Sequence, residues 1–251
     1  MFPVGDTVPR LNPPVATWSL ILINGIVFFI ELSLPEPALK HFFFTFGLVP
    51  AYYSHPLWAA HAGFPPGDYW PFLTSMFLHG SWLHIIGNMW VLWIFGDNVE
   101  DRMGPVRFVI FYTLCGLAAG ITQCFVTPDS TIPTVGASGA IAGVMGAYFL
   151  LFPLARIIVL FPVLIFPVFF ELPAILFLGY WALLQVFGGT LSLASAQTVG
   201  GIAWWAHVGG FVTGIVLCFF FARRGQGYRR ASRDEYGIEG AWLPYGYWRE
   251  N

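Results

Sequence analysis

Charge is scarce in this chain. Thirteen acidic and eleven basic residues stand among 251, or 10% charged, where a soluble domain carries about 25%. With 57% hydrophobic residues and a mean hydropathy of +0.70, the composition is that of a polytopic membrane protein. Cysteine is equally sparse: Cys115, Cys124 and Cys218 all lie in apolar runs. An odd count without a CxxC pair points away from a disulfide framework and from a thiolate metal site. No nucleic-acid partner is expected. The first fifteen residues carry one Arg and four Pro, and resemble neither a signal-peptide n-region nor an Arg- and Ser-rich transit peptide. The first apolar run is therefore expected to be a retained span.

Six apolar runs read as membrane helices, at about residues 16–34, 82–98, 106–125, 137–152, 172–187 and 203–222. The expected fold is an all-α polytopic bundle of six transmembrane helices. The loop from about Pro35 to Gly80 is rich in Phe, Tyr, Trp and Pro and charged only at Glu36, Lys40 and Asp68. It suits a partly embedded interfacial loop with short amphipathic pieces. Residues 157–170 are apolar but short for a span, which needs about 20 residues, and Pro162 and Pro167 interrupt them. They read as an interfacial or strand-like segment.

Charge placement supports six spans. With residues 1–15 and the basic tail 223–251 both inside, that side receives Arg10, Arg102, Arg107, Arg156 and the six arginines from Arg223 to Arg249. The outside receives only Lys40, as the positive-inside rule asks. The expected location is a multi-pass protein of a prokaryotic cytoplasmic membrane, with both termini in the cytoplasm and the lipid bilayer as its surroundings.

In this topology the second, fourth and sixth spans all start at the outer face, and the polar residues sit at those starts. His84 and Asn88 are four apart and share a helix face. Ser138 opens the fourth span between Gly136-Ala137 and Gly139, followed by small residues at Gly139, Ala142, Gly143, Gly146 and Ala147. His207 lies just before Gly210 and Gly214, a GxxxG pair. Small faces let two helix backbones approach closely, which would bring His207 to Ser138. Polar groups inside a membrane are costly and usually face a bundle interior or a wet cavity, so this set reads as one site. Imidazole beside a serine hydroxyl is a general base beside a nucleophile. Asn88, His84 and the Ser138 amide are suitable donors to a developing oxyanion. No carboxylate lies in the outer half of these spans, so the sequence supports a Ser–His dyad.

These residues resemble the rhomboid family of intramembrane serine proteases. The family's GxSG matches Gly136 to Gly139. Its His-x-x-x-Asn matches His84 to Asn88, preceded by His79. Its AHxxGxxxG matches Ala206 to Gly214, and its Glu-x-Arg matches Glu100 to Arg102. The resemblance implies a six-helix bundle with a half-submerged first loop. It also implies cleavage of single-span or polytopic membrane-protein substrates near the outer end of a transmembrane segment, with no cofactor and no metal. By that resemblance Ser138 is the nucleophile and His207 the base, with Asn88, His84 and the Ser138 amide binding the oxyanion. Two positions depart from the pattern. Many members carry an aromatic four residues after the serine, stacked on the histidine; here Ala142 stands there, and Trp204 or Trp205 is expected to hold His207 instead. Many also carry a Trp-Arg pair in the first loop, and this loop has no arginine.

The alternative is a rhomboid-like pseudoprotease that binds membrane clients without cutting them, though such a protein is expected to lack the serine or the histidine. A transporter would have repeated halves with broken helices at the bilayer midplane, and no such repeat is present. A zinc site from His79, His84 and His207 lacks His-Glu-x-x-His spacing. The GxSxG of a soluble α/β-hydrolase fails because Ala140 stands at its last Gly. His41, His55 and His61 read as solvated loop residues, Glu100 and Arg102 as a structural pair, and Glu171 as a helix-start residue. No oligomeric state is favoured.

Overall fold

The computed structural model describes residues 2–61, 63–65, 67–163, 166–194, 202–223, 228–230 and 242–244. It is a helical bundle with a small sheet at one end. Strand β1 (Phe2–Asp6) leads to helix α1 (Val15–Ser33). The first loop folds into four short helices, α2 (Glu36–Phe46), α3 (Pro50–Ser54), α4 (Pro56–His61) and α5 (Pro71–Thr74), with a 3-10 turn at Ser75–Phe77. Helices α6 (Trp82–Met103), α7 (Pro105–Val126) and α8 (Ser138–Leu151) follow. Then come strands β2 (Arg156–Val163) and β3 (Phe166–Pro173) and helices α9 (Ala174–Ala194) and α10 (Trp204–Phe221). Two short strands, β4 (Tyr228–Arg230) and β5 (Trp242–Pro244), pair antiparallel. Apart from these and Arg223, the expected basic tail lies outside the described residues.

Local chemistry sets the boundaries. Pro35 ends α1, because the residue before a proline is driven out of the helical region. Ser81 caps α6, its hydroxyl accepting from the His84 amide at 3.2 Å. Gly104, at φ +80°, closes α6, and Pro105 opens α7 at once. Glycine supplies the left-handed turn and proline the pre-set first turn. The N-terminus of α1 is capped from another helix: Glu100 accepts from the Ala16 and Thr17 amides at 2.9 and 2.8 Å and from the Thr17 hydroxyl at 2.8 Å. Asp101 accepts from the Leu11 and Asn12 amides. The two carboxylates thus hold the chain leading into α1, a structural role for Glu100.

Among the described residues, four helices are long and apolar enough to cross a membrane: α1, α7, α9 and α10. Their outward faces carry exposed apolar side chains such as Leu22, Phe29, Phe187 and Phe219. The chain is a multi-pass integral membrane protein with an α-helical bundle. The other two expected spans are α6 and α8. Helix α6 has 22 residues but bears Asp97, Glu100, Asp101 and Arg102 towards its end. Helix α8 has only 14 residues, ten of them buried, and forms the centre of the bundle. Close backbone packing is what buries it. A Cβ on Gly210 or Gly214 of α10 would overlap the carbonyl of Gly139 or Gly143 on α8.

The segment read as strand-like is the hairpin β2–β3, in register from Arg156 opposite Pro173 to Val163 opposite Phe166. The β-branched run Ile157-Ile158-Val159 favours a strand, and its alternate residues Ile157 and Val159 are fully buried. Strand β1 adds antiparallel to β2 as the third strand, a pairing not visible in the sequence. Glu171 lies in β3 and accepts from Arg156 at 2.9 Å, three residues ahead of α9. Helix α9 runs to Ala194, beyond the expected end near 187. Gly188 and Gly189, just past that expected end, are covered by the Trp204 and Trp205 rings, which a Cβ on either glycine would meet at 2.7–2.9 Å.

The first loop is fastened without arginine. Leu48 and Thr134 exchange backbone hydrogen bonds at 3.0 and 2.8 Å. The Ala51 amide donates to the Ser130 carbonyl at 3.0 Å, and His55 meets Asp129 at 2.7 Å. The loop is thereby tied to the link that leads into α8.

Candidate active site

Ser138 is the first residue of α8, where the leading amides of a helix lack intrahelical partners. His207 lies one turn into α10. The close α8–α10 packing brings the two together: His207 Nε2 is 2.8 Å from Ser138 Oγ. Both side chains are half-buried.

His84 and Asn88 reach the same place from α6. Gly136, at φ +126°, stands between them and the serine, and its amide donates to the Ser75 carbonyl at 2.9 Å. A Cβ there would meet His84 Nε2 at 2.7 Å and approach Asn88 Nδ2 at 3.5 Å. Both backbone conformation and space therefore require glycine two residues before the serine. All four expected side chains, Ser138, His207, Asn88 and His84, converge on the start of α8.

Two further residues order this corner. His79 is buried, and its Nε2 lies 2.9 Å from Asn88 Nδ2. Burial first, then the neighbouring His84, push the His79 imidazole down to about 4. It is neutral at ordinary pH and can accept from Asn88. Glu31 of α1 in turn accepts the His79 amide at 3.1 and 3.3 Å. The Asn88 amide group has a second N–H, left for another acceptor.

Two further contacts to the histidine ring come from α9. Trp181 packs beside it with ring centroids 5.9 Å apart and a 35° interplanar angle. Gln185 Oε1 lies 2.8 Å from His207 Nδ1. The sequence suggested Trp204 or Trp205 for the task, but those rings are spent on Gly188 and Gly189. Ala142, where an aromatic was expected from the family pattern, is fully buried against α10 near Gly210. A ring there would push the helices apart, whereas Trp181 reaches His207 from α9. Glu31 and Gln185 were both missed in the sequence. Their signal was a lone carboxylate and a lone amide within apolar spans, the kind of residue that faces a bundle interior.

Among the described residues, no group of three or more His, Cys, Asp or Glu is arranged to hold a metal. His79 and His84 lie with ring centroids 5.0 Å apart, and the free His207 nitrogens are engaged by Ser138 and Gln185.

A multi-pass helical bundle with a serine at the head of its central helix and an imidazole against it defines the class of membrane protein. A family model described as the rhomboid domain matches residues 66–224, more than half of the chain. The chain belongs to the rhomboid family. It is similar to rhomboid-like protein 11, chloroplastic, of Arabidopsis thaliana, at 32% identity over 122 residues, 48% of this chain and 39% of that protein. It is similar to the presenilin-associated rhomboid-like protein, mitochondrial, of Mus musculus, at 31% identity, covering 58% of this chain and 36% of that protein. Against rhomboid protease GluP of Bacillus subtilis the identity is 37% over 81 residues, 32% of this chain and 15% of that protein. The chain spans well under two thirds of the length of these relatives.

Proposed function

We propose that this protein is an intramembrane serine endopeptidase, cleaving transmembrane segments of membrane-protein substrates near their outer end through a Ser138–His207 dyad. The observation that carries the reading is the 2.8 Å contact between Ser138 Oγ and His207 Nε2. That is hydrogen-bond distance between a nucleophile and its base. His207 takes the hydroxyl proton as Ser138 Oγ attacks the scissile carbonyl. The resulting oxyanion accepts from Asn88 Nδ2, from a His84 ring N–H and from the Ser138 amide. His207 then gives its proton to the leaving amine, which breaks the C–N bond. It next deprotonates a water, which attacks the acyl ester and returns Ser138.

Helix α8 supports a reaction below the membrane surface. Fourteen residues at 1.5 Å each make about 21 Å, against about 30 Å of hydrocarbon. With its far end at the inner face, its serine lies several ångströms under the outer one, in reach of water from above. In this reading α6 and α8 complete six spans, both termini are cytoplasmic, and ten of the eleven basic residues lie inside. The membrane is a prokaryotic cytoplasmic one. A helical carbonyl is already hydrogen-bonded, so the substrate must unwind, and helix-breaking residues near the cut favour it. The printed name of the Bacillus subtilis relative, a rhomboid protease, agrees with this chemistry.

The test uses purified protein in liposomes with a labelled single-span substrate carrying glycine near its outer end. The native protein cleaves it, while Ser138→Ala and His207→Ala lose more than about 10³-fold in rate. Cleavage surviving Ser138→Ala refutes the nucleophile. A native protein that binds such substrates and cuts none of them is a non-cleaving client binder.

A further inference from the structure

We infer that Gln185 on α9 is the positioning residue that fixes the His207 tautomer, holding the proton on Nδ1 and leaving the Nε2 lone pair towards Ser138. The inference deepens the proposed Ser138–His207 dyad and rests on that reading for its catalytic meaning.

The argument is one of hydrogen-bond direction. Gln185 is buried, and its side-chain amide can present either oxygen or nitrogen to a neighbour. Its Nε2 lies 3.0 Å from the Trp181 carbonyl, one turn back on the same helix. A carbonyl only accepts, so the Gln185 nitrogen must point there. A flipped amide would set two oxygens against each other. Gln185 Oε1 is then fixed towards His207 Nδ1, at 2.8 Å. An amide oxygen only accepts, so Nδ1 must carry the proton. A neutral imidazole has one proton, and Nε2 is left as the acceptor facing the Ser138 hydroxyl at 2.8 Å. The direction runs without a break from Ser138 Oγ–H through the ring to the α9 backbone.

Among the described residues, no hydrogen-bond partner other than Gln185 stands at Nδ1. Neither α9 nor α10 contains Asp, Glu, Lys or Arg. Besides Gln185, the polar or aromatic neighbours of the ring among the described residues are Trp181 from α9, Ser138 from α8 and His84 from α6. Gln185 thus performs the orienting half of a triad carboxylate's task, selecting tautomer and ring angle. It does not perform the other half, since a neutral amide adds no charge to stabilise an imidazolium. The site is in this sense a dyad with an uncharged orienter, supplied by a different helix from those that carry the serine and the histidine.

The test reads the tautomer directly, by ring nitrogen NMR on full-length protein with 15N-labelled histidine in detergent micelles. The His207 signals are assigned by their loss in His207→Ala. At neutral pH the native protein shows Nδ1 protonated and Nε2 bare. Ser138→Ala keeps that pattern, because Gln185 and not the serine sets it. Gln185→Leu, which fills the same space without an acceptor, loses it. A native ring protonated at Nε2, or a Gln185→Leu ring still held as Nδ1–H, overturns the inference. The native spectrum decides the matter even where Gln185→Leu does not fold.

Kinetics supply the second readout. General-base catalysis contributes about 10²–10⁴-fold, and Gln185→Leu forfeits the oriented part of it. We expect kcat to fall about 10- to 100-fold with KM unchanged. Gln185→Glu keeps an acceptor and the Nδ1–H tautomer, and its carboxylate favours imidazolium, so the acid limb of the rate profile moves to higher pH. A Gln185→Leu protein with native kcat and a native pH profile overturns the positioning role. A native protein that cleaves nothing, yet carries the Nδ1–H ring, sinks the protease reading and leaves the tautomer assignment standing.

Discussion

Trp181 and Ala142 illustrate how this site trades one residue for another. The His207 ring needs a packing partner on one side, and α9 supplies Trp181 with ring centroids 5.9 Å apart. Such a contact is worth about 0.5–1.5 kcal/mol. If it acts mainly on the reacting geometry, Trp181→Ala lowers kcat about 2- to 10-fold, to be read in the liposome cleavage assay. Ala142→Phe does not substitute for it. Ala142 is fully buried against α10, and overpacking there costs about 1–3 kcal/mol. A lowered unfolding midpoint in detergent, with no rescue of Trp181→Ala in the double variant, is the expected outcome. The same residues mark what was legible in the sequence. That Ser138, His207, Asn88 and His84 would come together was legible because each sits in a short motif at the start of a span. Their orienters were not. Gln185, Trp181 and Glu31 lie far away in sequence, on helices without a motif, and only the angle at which α9 and α1 meet the centre makes them neighbours.

At the scale of helices, the packing of α8 on α10 decides whether serine and histidine meet at all. The small residues on both were legible as a close-approach pair, and the backbone contacts at Gly210 and Gly214 are tight enough to forbid any side chain. Gly214→Val separates the helices; we expect a destabilisation of several kcal/mol and loss of labelling of Ser138 by a fluorophosphonate probe. Gly87 on α6 is the control. A Cβ there meets nothing within 4 Å, and Gly87→Ala leaves labelling intact while gaining up to about 1 kcal/mol from helix propensity. Helix α1 is governed differently, by the Glu100 carboxylate at its N-terminus. Hydrogen bonds to a charged group contribute about 1.5–3 kcal/mol each. Glu100→Ala is therefore expected to lower the unfolding midpoint markedly, and Glu100→Gln by less, since one acceptor oxygen remains. Equal losses in the two variants would argue against the capping role. That role was hidden in the sequence because Glu100 and Ala16 are 84 positions apart. Helix α9 likewise runs past the expected end near 187, and tryptophans from α10 fill the space above Gly188 and Gly189.

The whole molecule is polarised between two ends. The start of α8 gathers Ser138, His207, His84 and Asn88. At the other end of the bundle, β1 adds to the β2–β3 hairpin, Trp90 of α6 donates to the Pro3 carbonyl at 2.6 Å, and the Asp6 side chain links the strand to both α6 and α8. Its carboxyl contacts the Val8 amide at 2.9 Å, the Tyr148 hydroxyl at 2.9 Å and Asn98 Nδ2 at 3.0 Å. Burial, and next the nearby Asp97, push it up from the ordinary 3.8 to about 8. The folded protein keeps this proton where the unfolded chain has released it, so the unfolded state binds fewer protons between those two values. Stability attached to Asp6 therefore falls as pH rises from about 4 to about 8 and levels off above that. This sign is opposite to that of a salt-bridged carboxylate. Thermal unfolding in detergent between pH 5 and pH 9 should show the decline in the native protein. Asp6→Asn cannot ionise and should flatten the curve, with its advantage over the native protein largest at alkaline pH. Asp97→Asn removes the second cause alone and should shift the decline to lower pH while leaving its direction. A curve unchanged by either substitution would mean that the decline, if present, arises elsewhere and that the strap does not carry the proton. Because Tyr148 and Asn98 stand on α8 and α6, release of the strap at high pH loosens the far ends of two helices that also carry Ser138, His84 and Asn88. Cleavage activity should then outlast the loss of the strap only as far as the α8–α10 contact alone can hold Ser138 against His207.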